Sequence, residues 1–144
     1  MRIRQLNHSV YQTEYHIVWG TLYRRHFLKY YVREKLIEGM YNVQKRYPDW
    51  YFSKINTGDD HVHILMEIPP KYSIAEVVQK LKSYTCVYLR NRFKFIDNMY
   101  DGKGGIWSAG YFVSTVGLNE ENIRKYIGIQ NNYDIGKDLT DEFS

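Results

Sequence analysis

Cysteine and proline are scarce in this sequence of 144 residues. The single cysteine, Cys86, excludes an internal disulfide and fits the reducing cytoplasm, where we expect the protein to act. The three prolines all lie near the ends of predicted elements and are Pro48, Pro69 and Pro70. No apolar run approaches the roughly 20 residues of a membrane span, and no apolar segment follows the charged N-terminus. We therefore expect neither a membrane helix nor a secretory signal.

Aromatic side chains are abundant instead, with 15 tyrosines, 6 phenylalanines and 3 tryptophans. The hydrophobic fraction of 44% excludes an intrinsically disordered chain. The length favours one domain that buries a core without disulfides or metals as staples. The net charge of +4 only weakly indicates a nucleic-acid partner. Composition thus predicts one tyrosine-rich domain and leaves its function open.

Hydrophobic periodicity and turn residues predict an α+β fold. Strands are expected over 14–22, 50–57, 61–68 and 106–116, and helices over 29–47, from Ser73 onwards and from Asn119 to about Asn132. The turn at residues 58–60 makes the second and third strands a hairpin, and residues 96–105 predict a loop. The order β-α-β-β-α-β plus a helix is the ferredoxin-like or RRM-like split βαβ: a four-stranded antiparallel sheet with two helices on one face. We expect one domain over 1–133 and a flexible polar tail over 134–144.

The third predicted strand carries two histidines, His61 and His63. Side chains alternate across a strand, so both histidines lie on one face while Val62 and Ile64 lie on the other. The two imidazoles stand about 7 Å apart at the backbone and can converge on one metal ion. The pattern is short, however, and taken alone it more often marks two half-buried polar residues.

The last predicted helix places Tyr126 and Gln130 four residues apart, and therefore on one helical face. Taken alone, this spacing is equally typical of an amphipathic helix with a packing tyrosine.

Four motifs occur together and in order: a His-x-His strand, a Lys-Ser helix, a Trp-Ser-x-Gly-Tyr-Phe strand and a Tyr-x-x-x-Gln helix. The matching stretches are Asp60 to Glu67, Leu81 to Ser83, Trp107 to Gly117 and Tyr126 to Gln130. In this combination the sequence resembles the single-tyrosine transposases of the HUH nuclease superfamily. These enzymes move the small insertion sequences of the 200/605 group as single-stranded DNA.

The resemblance implies that Tyr126 is the nucleophile and that His61, His63 and Gln130 bind a divalent cation. Two imidazoles and one amide oxygen, without a thiolate, suit Mg²⁺ or Mn²⁺. Attack by the tyrosine on hairpin-bearing single-stranded DNA would leave a 5′-phosphotyrosine and a free 3′-OH. The resemblance also implies a homodimer, in which the tyrosine helix of one subunit completes the histidine site of the other. Residues 117–119 are the candidate hinge of that helix.

Basic side chains are the candidate phosphate contacts. They are Arg2, Arg4, Arg24, Arg25, Lys80, Lys82, Arg90 and Arg92. Lys82 is the best candidate because it lies in the matched Lys-Ser stretch. A run of charges is usually a solvated face, so we expect only some of these residues to touch DNA. Aromatic side chains between them could stack unpaired bases.

For other polar residues near the motifs we expect structural or surface roles. Asp60 is expected to serve the turn, with a bond that orients an imidazole as the alternative. Glu67 is expected to be a solvated edge residue, and His16 a polar surface residue, with a place beside the site as its alternative. Two tyrosines are rival nucleophiles by type: Tyr111, which we expect to pack in a strand, and Tyr133, where the last helix should fray.

Two alternative functions remain open at this point. One is another HUH enzyme: a repeat-associated tyrosine transposase, a replication initiator or a relaxase. Relaxases often have a third histidine and longer chains, which argues against that choice. The other is a non-catalytic RRM-like module that binds single-stranded DNA or RNA. Such a module would carry aromatic residues on its central strands, where this sequence has two histidines.

Overall fold

The computed structural model describes residues 4–6 and 9–11 by their backbone, and residues 14–115 in full. Its strands are β1 (Arg4–Leu6), β2 (Ser9–Tyr11), β3 (Glu14–Gly20), β4 (Tyr51–Thr57), β5 (His61–Glu67) and β6 (Phe112–Thr115). Its helices are α1 (Tyr30–Gln44), α2 (Ile74–Arg92) and α3 (Lys94–Met99), with a 3₁₀ turn at Leu22–Arg24. Within the described residues, no helix combines the length and the apolar character needed to cross a bilayer.

Four strands form one antiparallel sheet in the order β4-β5-β3-β6, while β1 and β2 pair separately. The predicted hairpin is confirmed, because β4 and β5 are adjacent and Thr57 pairs with Val62. β5 is a central strand, and its other neighbour, β3, places Gly20 opposite His61 and Val18 opposite His63. The predicted fold class, a four-stranded antiparallel sheet with helices, is confirmed.

The hydrophobic core lies between one face of this sheet and the two long helices. Val62, Ile64 and Met66 of β5 are fully buried and share one cluster with apolar residues of α1 and α2. The helical members of the cluster include Val32, Leu36, Met40 and Val43 of α1, and Val77, Val78, Leu81 and Leu89 of α2. Because strand side chains alternate, the histidines of β5 are left on the face away from these helices.

The region between α2 and β6 differs from its prediction. Residues 94–99 form α3, which overlaps the start of the loop expected over 96–105, and Ile96 of this helix is fully buried in the core. β6 begins at Phe112 rather than at 106, because Gly110 has a φ of +79° that interrupts extended backbone. The β1–β2 hairpin was not predicted, since strands of three residues carry little periodic signal.

The start of the second long helix was predicted from its capping residue. Ser73 accepts a hydrogen bond from the backbone N–H of Glu76 at 3.1 Å, which satisfies one orphan amide of α2. The last predicted helix and the tail from 134 to 144 lie outside the described residues, as does the boundary of the expected domain at 133.

Replacing Ser73 with alanine is expected to lower the free energy of unfolding by about 1 kcal/mol, because the cap is lost. Ser83 lies exposed inside the same helix, so Ser83→Ala is the matched control. It should be neutral or slightly stabilising, since alanine has the higher helix propensity. Denaturant unfolding of the two variants measures the difference, and equal stabilities would contradict the capping role.

Candidate metal centre and active site

His61 and His63 lie side by side on the sheet face that points away from α1 and α2. His61 lies opposite Gly20 of β3, and His63 lies between Val18 of β3 and Asn56 of β4. Both histidines are partly exposed, whereas Val62 between them is fully buried. The placement predicted from strand alternation, two imidazoles on one face of the strand, is therefore present.

The ring of His61 is fixed by two neighbours in the β4–β5 turn. Its Nδ1 lies 3.0 Å from Oδ1 of Asp60. The ring also lies against the bare α-carbon of Gly58, where a Cβ would be only 2.3 Å from Cε1 of His61. An imidazole that donates Nδ1–H to a carboxylate keeps Nε2 as its lone-pair nitrogen, which is the usual arrangement of a metal-binding histidine.

Asp60 connects this imidazole to a buried arginine. Its second carboxylate oxygen, Oδ2, lies 2.7 Å from Nη2 of Arg24. Burial raises the pKa of Asp60, but hydrogen bonds and charge from Arg24 and His61 outweigh burial and hold that pKa below its usual value. Asp60 is therefore ionised at neutral pH. Asp60 lies in the expected turn and also makes the bond of the alternative, which orients an imidazole. Its carbonyl accepts from the N–H of Thr21, which follows β3.

His16 contacts the second histidine of the pair. Its Nδ1 lies 3.0 Å from Nε2 of His63, and the ring centroids are 5.3 Å apart. The expectation of a plain surface role for His16 was wrong, and its alternative, a place beside the site, is correct. One of these two nitrogens must donate and the other accept. His63 can therefore use Nε2 as a metal ligand only if His16 gives up this bond.

Glu67 is buried, with 1% of its surface exposed, and the expectation of a solvated edge residue was wrong. The central position of β5 does not by itself bury this residue, because His61, His63 and Leu65 lie on the same strand and face and stay partly exposed. Glu67 pairs across the sheet with Glu14, which is also buried and accepts a hydrogen bond of 2.7 Å from the hydroxyl of Ser53. Strand alternation placed Glu67 on the histidine face but carried no information on its depth.

The residues that the structure describes supply only part of a ligand set for a divalent cation. Among residues 14–115, no three His, Cys, Asp or Glu side chains lie together as a metal-binding group. His61 and His63 supply two imidazole nitrogens, and the carboxylate behind His61 is the outer partner typical of such ligands. A third protein ligand would have to come from elsewhere. The predicted ligand Gln130 and the predicted nucleophile Tyr126 both lie outside the described residues.

The predicted DNA-contacting side chains are engaged within the protein wherever the structure describes them. Lys82 donates to the carbonyls of Ser108 at 2.8 Å and Gly110 at 2.5 Å, which ties α2 to the segment before β6. Arg90 binds Asp97 at 2.9 Å. These bonds do not test contact with DNA, so the roles of both residues stay predictions.

Arg25 remains exposed, donates to the carbonyl of Met99 and lies over the rings of Tyr23 and Tyr100. Its predicted DNA contact is likewise untested. Of the two N-terminal arginines, Arg2 lies outside the described residues, and Arg4 is described by its backbone only.

Of the rival nucleophiles, Tyr111 packs half-buried against the hydrophobic core, as expected, but it lies just before β6 and not in a strand. Tyr133 lies outside the described residues. Sequence reasoning missed Arg24 as a partner of Asp60, and it placed His16 beside the site only as an alternative. His16 lies 47 positions from His63, and Arg24 lies 36 positions from Asp60, so strand pairing brings together residues that no local motif connects.

Comparison with known proteins identifies relatives of this chain. The family model described as "Transposase IS200 like" matches residues 9–130. The transposase for insertion sequence element IS200 of Salmonella typhimurium is 31% identical over 127 residues, which cover 86% of this chain and 80% of that protein. The ISDra2 transposase TnpA of Deinococcus radiodurans is 28% identical over 122 residues, covering 84% of this chain and 86% of that protein.

Two solved structures share the fold. A candidate transposase from Deinococcus radiodurans R1 superposes with a TM-score of 0.79 at 25% identity, covering 88% of this chain and 97% of that chain. A REP-associated tyrosine transposase, solved bound to a REP hairpin, superposes with a TM-score of 0.53 at 14% identity. That match covers 86% of this chain and 68% of the other chain, and it supports the fold alone.

Replacing Gly58 with alanine is expected to displace the ring of His61, because the added methyl carbon would lie 2.3 Å from Cε1. The ring should leave Asp60, and the ¹⁵N and ¹H resonances of the His61 imidazole should shift. Stability should fall by about 1–3 kcal/mol, the usual cost of overpacking. Gly105→Ala is the matched control, because no atom lies within 4 Å of the added carbon. Unchanged His61 resonances in Gly58→Ala would contradict this close packing.

Proposed function

Because the chain belongs to the family of IS200-like transposases, we propose that it cleaves and rejoins single-stranded DNA through a covalent bond to Tyr126. That the chain is a single-tyrosine transposase, and that it acts on DNA, follows from its family. The observation that carries the finer proposal is the pair His61 and His63, partly exposed on the sheet face away from the helices, with the His61 ring held by Asp60. An oriented pair of imidazoles suits metal-assisted chemistry on a phosphate.

His61, His63 and Gln130 would hold the cation, which we take to be Mg²⁺ or Mn²⁺. Once bound, it would polarise the scissile phosphate and stabilise the departing 3′ oxygen. Two neutral imidazoles and one amide oxygen leave coordination positions for phosphate oxygens and water. The chain's own contribution is to orient those ligands. Asp60 does so for His61 by accepting the Nδ1–H bond.

Tyr126 would act as the nucleophile. A phenol has a pKa near 10, so it attacks well only when its proton is lost or its target is polarised. The phenolic oxygen would form a bond to phosphorus while the bond from phosphorus to the 3′ oxygen breaks. The phenol loses its proton and the leaving oxygen gains one, so the products are a 5′-phosphotyrosine and a 3′-OH. Another 3′-OH could reverse the step and join strands without ATP.

The same proposal includes a homodimer that acts on hairpin-bearing ends in the cytoplasm. Excision of an element requires cleavage at two ends, and the proposed site has one nucleophile per chain. Two chains therefore supply the two tyrosines. A hinge at residues 117–119 would let the helix of Tyr126 complete the histidine site of the partner. Membership of the transposase family favours this function over a relaxase, a replication initiator or a non-catalytic binding module.

A covalent-adduct assay tests the nucleophile. The protein is incubated with Mn²⁺ and labelled hairpin-bearing single strands taken from the DNA that flanks its own gene. A protein–DNA adduct that resists denaturation is expected with the natural sequence and with the control Tyr133→Phe, which removes a neighbouring tyrosine. Tyr126→Phe should abolish it, because the attacking oxygen is gone. An adduct that persists in Tyr126→Phe would remove this residue from the role.

The metal is tested in the same assay. Chelation by EDTA should abolish the adduct and added Mn²⁺ or Mg²⁺ should restore it. His61→Ala and His63→Ala should lower its rate by more than about 100-fold, since even outer partners of metal ligands are worth 10–100-fold. Gln79→Ala is the control, because Gln79 is exposed on α2, which packs on the opposite face of the sheet. Full activity in EDTA would contradict the metal part of the proposal and leave the tyrosine part standing.

A further inference from the structure

Arg24 is a buried arginine beside the histidine pair, with 8% of its surface exposed. Its guanidinium pairs with Oδ2 of Asp60, whose Oδ1 binds His61, so one carboxylate joins a fixed cation to a candidate metal ligand. We infer that Arg24 is a positioning residue that holds Asp60, and through it the ring of His61, in the orientation for metal binding. The functional part of this inference rests on the proposed metal site.

The backbone at Arg24 is strained, and its conformation sets the direction of the Arg24 side chain. Tyr23 and Arg24 both have left-handed φ values, of 58° and 54°. Residues with a Cβ adopt this conformation at an energetic cost, and two in succession persist only where the surrounding contacts require them. Tyr23 is left exposed while Arg24 is buried. The turn after β3 therefore directs the arginine inward.

Gly20 provides the space into which the arginine fits. A Cβ on Gly20 would lie 3.3 Å from Cδ and 3.5 Å from Nε of Arg24. Gly20 is also the cross-strand partner of His61, so the arginine side chain crosses the sheet at the position next to this histidine. A side chain at position 20 would compete for that space.

Backbone hydrogen bonds join the turn that carries Asp60 to the segment that carries Arg24. The N–H of Thr21 donates to the carbonyl of Asp60 at 2.9 Å, and the N–H of Leu28 donates to the carbonyl of Asp59 at 3.0 Å. Both ends of the ion pair are thus held by main chain. A guanidinium presents its donors in a rigid plane, so it orients the carboxylate as well as neutralising it.

These contacts favour a positioning role for Arg24 over the phosphate contact predicted from its charge. A phosphate-binding arginine keeps its guanidinium at the surface, as Arg25 does. Arg24 instead lies under the site, with its charge opposite Asp60.

The test compares Arg24→Met, Arg24→Lys and a matched control, Arg33→Met. Arg33 pairs with Asp59 in the same turn at 3.7 Å, but this pair is exposed and does not contact a histidine. The first readout is the ¹⁵N spectrum of His61 in the metal-free protein at a fixed pH of about 8, where histidines are mostly neutral. We expect an Nδ1–H tautomer in the natural sequence and in Arg33→Met, and a mixture of tautomers in Arg24→Met.

The second readout is the affinity for Mn²⁺, measured by calorimetry. Arg24→Met should weaken it by about 10- to 100-fold, the usual effect of losing an outer partner. Loss of the positive charge alone would have the opposite effect on Mn²⁺ affinity, because removing one cation from the neighbourhood strengthens the binding of another. Arg24→Lys keeps the positive charge but lacks the planar guanidinium. Its affinity for Mn²⁺ should therefore lie between those of the natural sequence and Arg24→Met. Arg33→Met should bind like the natural sequence.

The outcomes separate this inference from the proposed function. A natural His61 tautomer in Arg24→Met, or Mn²⁺ affinity that is unchanged or stronger, would overturn the positioning role. If the natural protein binds no Mn²⁺, the proposed metal site fails, while the tautomer comparison still decides whether Arg24 orients the ring. If Arg24→Met does not fold by circular dichroism, Arg24→Lys and the isosteric Asp60→Asn decide in its place, and natural tautomers in both would overturn the inference.

Discussion

The antiparallel pairing of β5 between β3 and β4 is the constraint on which the rest of this structure depends. A strand with neighbours on both sides cannot shift its register by one residue without moving every side chain to the opposite face. Val62, Ile64 and Met66 are fully buried against the helices, so such a shift would expose three apolar side chains. The hydrophobic core therefore holds His61 and His63 on the other face.

The same pairing assembles the surroundings of the histidines from distant parts of the chain. β3 brings His16 to His63, and the turn after β3 brings Arg24 to Asp60. Each imidazole therefore has one nitrogen bonded to a neighbour before any ligand arrives. The two neighbours differ in chemistry: His61 contacts an ionised carboxylate, whereas His63 contacts another imidazole. This asymmetry suits a site in which His61 is held rigidly and His63 has to exchange partners.

Local patterns predicted the elements well where one physical rule decides the outcome. Ser73 begins α2 as a helix cap, and the strand with His61 and His63 alternates as expected. Prediction failed where tertiary contacts decide. Residues 96–99 lie in helix α3, whose Ile96 packs in the core, although Asp97 and Asn98 indicated the start of a loop. Glu67 was expected at the surface but is buried, because the depth of a side chain depends on tertiary contacts that alternation along a strand does not specify.

The sequence by itself determined the family, the order of the main elements and the placement of two histidines on one face of a strand. These follow from residue types at fixed spacings, because alternation along a strand and periodicity along a helix are local properties of the backbone. Only the tertiary structure decided that Arg24 supports Asp60 and that His16 contacts His63. Those contacts join residues that are far apart in the chain, and they exist because two strands pair in one register and a glycine leaves room between them.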